Sequence, residues 1–147
     1  MPQLSLHSPL GALTVSQEDE GLVALDWGWA CSQQETVLLR QARAQLHAYF
    51  DRELDGFDLP LAPSGTVFRL KVWEALRRIP FGATRTYAAI ADEVGGCARA
   101  VGQANRNNPL PILIPCHRVV ARNGIGGFTG EGGIDTKRFL LDHEGDH

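Results

Sequence analysis

The stretch Thr86-Tyr87-Ala88-Ala89-Ile90-Ala91-Asp92-Glu93-Val94-Gly95-Gly96-Cys97-Ala98-Arg99-Ala100-Val101-Gly102-Gln103-Ala104-Asn105 places two short helical patterns on either side of a glycine pair. Thr86 is a good N-cap, because its hydroxyl can accept from an orphaned amide of the first turn, and it predicts a helix over residues 87–94. Gly95-Gly96 supplies a sharp turn and helix restarts over residues 98–105, which is helix-turn-helix spacing. Ala98, Ala100, Gly102 and Ala104 give the second helix little bulk, so its backbone can lie close to another surface while Arg99 and Arg106 project. Tight packing of two internal helices is the other reading, since a glycine turn and small residues are weak signals alone.

Working downstream, Asn107-Asn108-Pro109-Leu110-Pro111 leads out of the second helix into the apolar run Ile112-Leu113-Ile114 and then Pro115-Cys116-His117-Arg118-Val119-Val120. Cys116 is the candidate nucleophile. A thiol of ordinary pKa, ~8.5, is only slightly ionised at neutral pH, so a chemical role calls for neighbours that stabilise the anion. His117 and Arg118 are the adjacent potential cations. Neighbouring side chains on an extended strand point to opposite faces, so a Cys116–His117 link requires a turn near Pro115 or a relaying water. A buried structural cysteine ending a core strand is the competing reading. Beyond Val120, Gly124, Gly126, Gly127, Gly130, Gly132 and Gly133 make a segment able to close over a pocket, with Phe128 and Thr129 at its centre, or else an ordinary surface loop.

Working upstream, Thr66 predicts the cap of a helix with Phe68, Val72, Leu76 and Ile79 as its apolar stripe, Trp73 packed, and Pro80-Phe81-Gly82 as its end. Apolar alternation near Leu4-Ser5-Leu6, Ala12-Leu13-Thr14-Val15 and Leu22-Val23-Ala24-Leu25 predicts an antiparallel meander. Leu38, Ala42, Leu46 and Tyr49 predict an amphipathic helix over 35–50 that covers it. The expected fold class is α+β: a small N-terminal lobe of β-meander and helix, residues 1–62, then a mainly helical domain, residues 63–147, with the helix-turn-helix and the active-site cysteine. The proline-bounded segment Asp58-Leu59-Pro60-Leu61-Ala62-Pro63 is the expected linker. A last helix over 135–144 should bury Phe139 and Leu140 and stop at Gly145. Glu144 then opposes the helix macrodipole by ~0.3–1 kcal/mol. Pairing with His117 would offset that and orient the imidazole, whereas exposure at a frayed end is the alternative.

Composition narrows the classes. Hydrophobic residues make up 44% and charged residues 21% of 147, which reads as a soluble globular chain with no apolar run long enough for a bilayer. The first residues, Met1-Pro2-Gln3-Leu4-Ser5-Leu6-His7, show no secretory pattern, and a cytoplasmic location is expected. Cys31, Cys97 and Cys116 form neither an even set nor a close pair, which argues for reduced thiols and against a structural zinc. The net charge of −3 hides an asymmetry: residues 1–62 carry −6 and residues 63–147 carry +3. Between Val94 and Gly130 there is no acid, yet Arg99, Arg106, Arg118 and Arg122 fall there, so a cationic face is expected; a solvated basic surface is the bland alternative.

These residues resemble a known family, the O6-alkylguanine-DNA alkyltransferases, or methylated-DNA–protein-cysteine methyltransferases. The resemblance rests on residues 106–119, above all Pro115-Cys116-His117-Arg118-Val119, and on Gly65-Thr66-Val67-Phe68, Val72-Trp73-Glu74-Ala75-Leu76, Ile79-Pro80-Phe81-Gly82, Tyr87, Arg99-Ala100-Val101-Gly102 and Leu140-Leu141-Asp142-His143-Glu144-Gly145. The first lobe fits more loosely, through Ser8-Pro9-Leu10-Gly11 and Phe57-Asp58-Leu59-Pro60-Leu61. The resemblance implies irreversible transfer of an alkyl group from O6-alkylguanine in DNA to Cys116, once per molecule. It implies that His117 deprotonates Cys116 through a water, Glu144 orients His117, and Asn108 braces the active-site backbone. Tyr87 would donate to the guanine ring, the Val119 carbonyl would accept from its exocyclic amine, and the Thr129 amide would face O6.

Arg99 would enter the duplex in place of the extruded nucleotide, Ala100 and Gly102 would allow minor-groove approach, and Arg106 would contact phosphate, with little sequence specificity. Phe128 stands where many members carry tyrosine, which keeps an aromatic pocket wall without the hydroxyl. Some members hold zinc in the first lobe, but Cys31, His7 and His47 lack a ligand pattern, so neither metal nor cofactor is expected. A monomer is expected. The alternative within the resemblance is an alkyltransferase-like protein that binds the lesion without reacting, a class in which another residue replaces the cysteine.

Overall fold

The computed structural model describes residues 1–126 and 133–145 and divides into two compact units, Met1–Ser64 and Gly65–His147. In the first unit, alternating side chains build an antiparallel sheet of three strands in the order β1 (Gln3–Ser8), β2 (Gly11–Glu18), β3 (Gly21–Trp27). The first hairpin closes at Ser8 opposite Gly11, whose φ of +94° suits a residue without a Cβ. Leu4, Leu6, Leu13, Val15, Leu22 and Leu25 are buried, and the helix α1 (Val37–Phe50) packs against β1 and β2. Its cap is Thr36, whose hydroxyl accepts from the Leu39 amide at 3.0 Å. The buried stripe is Leu39, Ala42, Leu46 and Tyr49; Leu38, expected there, is only half-buried. Both leucines flank the stripe on a helical projection, and the sheet lies on the Leu39 side. Residues 60–62 run beside β3, with Leu22 donating to the Pro60 carbonyl at 2.9 Å and Ala62 to the Leu22 carbonyl at 2.8 Å.

The second unit opens with α2 (Val67–Arg77), capped by Thr66, which accepts from the Arg69 amide at 3.2 Å. Val72, Trp73, Leu76 and Ile79 are buried, while Phe68 is half-buried. A two-residue strand, β4 (Arg85–Thr86), leads into α3 (Tyr87–Val94), where the Thr86 hydroxyl accepts from Ala89 at 3.1 Å. Gly95 ends α3 with φ +79°, and the amides of Gly95 and Gly96 both donate to the Ala91 carbonyl, at 2.9 and 3.0 Å. The chain then enters α4 (Ala98–Arg106). Trp73 donates its indole N–H to the Ala104 carbonyl at 2.8 Å, so the polar edge of a buried aromatic locks α2 to α4.

Next come a 3-10 turn (Cys116–Arg118) and β5 (Val119–Val120), which pairs in parallel with β4. The final helix is α5 (Ile134–Glu144). It buries Thr136, Lys137, Leu140, His143 and Glu144; Phe139, expected in the core, is 36% exposed and stacks on His143. The reason is angular: Lys137, Leu140 and Glu144 share the inward face at helical spacing, and Phe139 sits about 100° away from Leu140. Among the described residues no helix is long and apolar enough to cross a membrane.

Candidate active site

The apolar run before Cys116 is a turn. Ile112 takes φ +74°, a conformation that costs a β-branched residue about 1–3 kcal/mol. Asn108 brackets it: its amide nitrogen donates to the Ile114 carbonyl at 2.9 Å and its oxygen accepts from the Leu110 amide at 2.9 Å. The Ile114 amide closes the turn on Leu110 at 2.7 Å. Pro115, with ψ 67°, then starts the 3-10 turn, so Cys116, His117 and Arg118 fan out instead of alternating along a strand. All three are buried.

His117 and Glu144 meet at 2.6 Å between Nε2 and Oε2, although 27 residues apart in sequence. Glu144 is therefore buried, not frayed. Two more donors reach the same carboxylate: Arg118 Nε to Oε1 at 2.8 Å and Nη2 to Oε2 at 2.9 Å. The remaining arm of the guanidinium, Nη1, donates to the Ile79 carbonyl at 2.6 Å, and the group lies 5.9 Å from the Phe81 ring centroid. Arg118 thus belongs to Glu144, which corrects both its expected place on a cationic face and its expected help to the thiol. Burial alone would push the Glu144 carboxyl up, but the hydrogen bonds and charges of His117 and Arg118 outweigh it and hold the group down to about 2.

Burial dominates the other two titrating groups. It lowers His117 below the ordinary imidazole range; Glu144 pulls upward, while Arg118 and Lys137 add to the lowering. The neutral ring donates from Nε2 to the carboxylate, which leaves Nδ1 as the acceptor, and Nδ1 is buried with no protein partner among the described residues. The Cys116 thiol is pushed up to about 11 by burial, against the pull of the Asn108 side chain, the Lys137 charge and backbone hydrogen bonds. At that value only about one sulfur in ten thousand is ionised at pH 7, so the resting group is a thiol that has to lose its proton on demand.

Lys137 is the residue that the sequence reading missed. It is fully buried on the inner face of α5, donates to the Val119 carbonyl at 2.6 Å, and stands 5.7 Å from the Tyr87 ring centroid. Burial lowers its pKa to about 8, and the cysteine charge acts the other way. The available signal was a lysine spaced three residues before Leu140 and seven before Glu144, on the apolar side of the last helix.

Tyr87 begins α3 and is half-buried. Gly126 packs against it: a Cβ at that glycine would lie 3.1 Å from the Tyr87 hydroxyl, and φ there is +78°. Cys116, His117, Glu144, Asn108 and Lys137 therefore converge with Val119, while Arg99 and Arg106 lie exposed on α4. Ala100 and Gly102 are half-buried, and a Cβ on Gly102 would meet nothing within 4 Å. Phe128 and Thr129 lie outside the described residues. Among the described residues no group of three His, Cys, Asp or Glu side chains is placed to hold a metal ion.

Comparison with known proteins meets this geometry from another side. Residues 67–146 match the family described as 6-O-methylguanine DNA methyltransferase, DNA binding domain, and residues 4–63 match 6-O-methylguanine DNA methyltransferase, ribonuclease-like domain. The methylated-DNA–protein-cysteine methyltransferase of Methanosarcina acetivorans is 41% identical, covering 95% of each chain. The constitutive methylated-DNA–protein-cysteine methyltransferase of Bacillus subtilis is 45% identical over 94% of this chain and 92% of its own. The crystal structure of Mycobacterium tuberculosis OGT in complex with DNA aligns with a TM-score of 0.89 and 40% identity, covering 99% of this chain and 94% of that one. Matched along nearly its whole length by both domain families and by relatives of this similarity, the chain belongs to the 6-O-methylguanine DNA methyltransferase family.

Proposed function

We propose that the protein repairs DNA by taking an alkyl group from the O6 of guanine onto its own Cys116, once per molecule. The observation that carries this is the buried pair next in sequence to the thiol: a neutral His117 whose Nε2–H is held by Glu144 and whose Nδ1 is open as an acceptor. A thiol buried to a pKa of about 11 needs such a base. The Cys116 proton passes through a water to Nδ1, and His117 becomes an imidazolium that the Glu144 carboxylate stabilises. The sulfur then attacks the alkyl carbon, the carbon–O6 bond breaks, and its electron pair stays with the departing guanine, to which the Tyr87 hydroxyl offers a proton. Lys137 favours the transient thiolate by its charge. The thioether has no leaving path, so each molecule reacts once. Asn108 keeps the strained turn, and with it the sulfur, in place.

The Val119 carbonyl already accepts from Lys137 and keeps a second lone pair for the exocyclic amine of guanine. The family resemblance assigns Phe128 and Thr129 to the base pocket; both lie outside the described residues. The duplex side is α4: Arg99 replaces the extruded nucleotide, Arg106 takes phosphate, and the low bulk of Ala100 and Gly102 admits the minor groove. Contact through phosphate and shape suits a lesion that occurs in any sequence, and a monomer acting in the cytoplasm suffices. The cysteine at position 116 argues against a protein that only binds the lesion, a class in which another residue stands there.

The test is incubation with duplex DNA containing O6-methylguanine, followed by peptide mass spectrometry. One methyl group should appear on the Cys116 peptide; an unmodified Cys116 with the lesion repaired would overturn the proposal. The duplex role of α4 has its own check. Arg99→Ala should slow repair in duplex DNA roughly 10-fold or more, since extrusion costs a few kcal/mol, and leave reaction with the free alkylated base nearly unchanged. Equal losses on the two substrates would remove Arg99 from extrusion.

A further inference from the structure

We infer that Arg118 is a positioning residue for proton transfer, clamping both oxygens of Glu144 so that His117 stays neutral with Nδ1 as its basic nitrogen. This rests on the alkyl-transfer reading of Cys116. The geometry is a guanidinium laid against one carboxylate, Nε on Oε1 and Nη2 on Oε2, while its third arm is fixed by the Ile79 carbonyl just past the end of α2. The His117 contact falls on Oε2, the oxygen that Arg118 Nη2 also holds.

Two consequences follow from shared occupancy. A carboxylate already satisfied by a bidentate cation is a weaker partner for a second cation, so Glu144 attracts the Nε2–H enough to orient the ring but not enough to hold a proton on Nδ1 at rest. The guanidinium charge also opposes a positive imidazole directly. The other charged groups acting on His117 are Glu144 and Lys137, both from α5; its neighbours in the turn are Cys116 and Arg118. The end of α2 contributes the Ile79 carbonyl, and Asn105 from α4 donates to the Cys116 carbonyl at 3.3 Å. Removal of Arg118 leaves every reacting group in place: the sulfur, the base and the orienting carboxylate all remain.

A residue that merely supported the fold would, when replaced, lower the transfer rate by one factor at every pH. A residue that sets the protonation of His117 moves the pH at which the rate falls. With Arg118 replaced, Glu144 acts on His117 without that competing cation, the imidazole holds a proton to higher pH, and it is unavailable as a base over a wider acidic range. The sign is therefore an upward shift of the acid limb.

The experiment measures the rate of methyl transfer to Cys116 in full-length protein between pH 5 and 9, for wild type, Arg118→Lys and Arg118→Met. Wild type failing to methylate Cys116 would sink the alkyl-transfer reading itself. With wild type active, the acid midpoint in Arg118→Met should rise by about one pH unit, a roughly tenfold rate deficit on the acid side that narrows toward pH 9. Arg118→Lys keeps a charge without the fork and should fall between the two. Nitrogen-15 NMR of the imidazole gives the same answer without a reaction: the Nδ1 and Nε2 signals should report His117 protonation at higher pH in the variants. An unchanged midpoint and unchanged imidazole titration in folded variants would overturn the inference. Should Arg118→Met fail to fold, the Arg118→Lys profile decides alone, by the same criterion.

Discussion

Cys116→Ala should abolish methyl transfer while leaving the protein able to hold alkylated duplex DNA. The transfer forms a carbon–sulfur bond, so no other atom of the pocket substitutes once the sulfur is gone; His117 and Lys137 are nitrogen groups that already donate to Glu144 and Val119. Arg99 and Arg106, the side chains proposed to meet DNA, are exposed on α4 and do not depend on the sulfur. Binding to a duplex containing O6-methylguanine should therefore remain within a few-fold of wild type in a gel-shift assay, falling with salt as phosphate contacts require. The other two thiols, Cys31 and Cys97, are exposed and give a sharp control. Continued repair by the Cys116→Ala protein, with a methyl group found on either of them, would move the reaction out of the His117–Glu144 relay and defeat the mechanism above.

Removing the carboxylate has the largest expected effect on stability. Glu144→Ala strips three donors of their acceptor at once and leaves the Arg118 guanidinium, 7% exposed, as a buried charge without its counter-ion. Breaking one side of a buried pair typically costs about 3–5 kcal/mol, and transfer activity should fall with it. At a few degrees per kcal/mol for a chain of this size, the melting temperature should drop by roughly 10 °C or more. Glu144→Gln keeps an acceptor and should lose less. The pH dependence follows from the depressed carboxyl: its folded value is about 2 against an ordinary 4.5, so its stabilisation is complete above about 4.5 and is lost as pH falls toward 2. Glu144→Gln should show less acid destabilisation than wild type across that window in thermal melts. A melting temperature for Glu144→Ala within two or three degrees of wild type would mean that Arg118 finds another partner and that the clamp is weak.

Local chemistry made much of the second unit readable. Thr66 and Thr86 announced their helices because a hydroxyl on a cap amide is a contact within one turn, and Gly95 announced its break because a left-handed residue is a property of one position. The register of α1 was less legible, since Leu38 and Leu39 flank the same stripe and only the sheet chooses between them. Phe139 failed for a related reason: a large apolar side chain is a strong signal of burial, but the inward face of α5 is set by Lys137 and Glu144, whose burial depends on partners elsewhere in the chain.

The site divides along the same line. The order of residues alone determined the nucleophile candidate, the turn-forming prolines and asparagine before it, the small-residue helix with its arginines, and the family to which the chain belongs. The tertiary structure decided how the buried charges are matched. It brought Glu144 across 26 residues to Arg118, set Lys137 against Val119 and the thiol, and left Nδ1 of His117 as the open nitrogen. The physical reason is that capping and turn chemistry act within a few residues, whereas a charge removed from water must be met by whatever partner the fold brings within about 3 Å, and sequence spacing does not encode that distance.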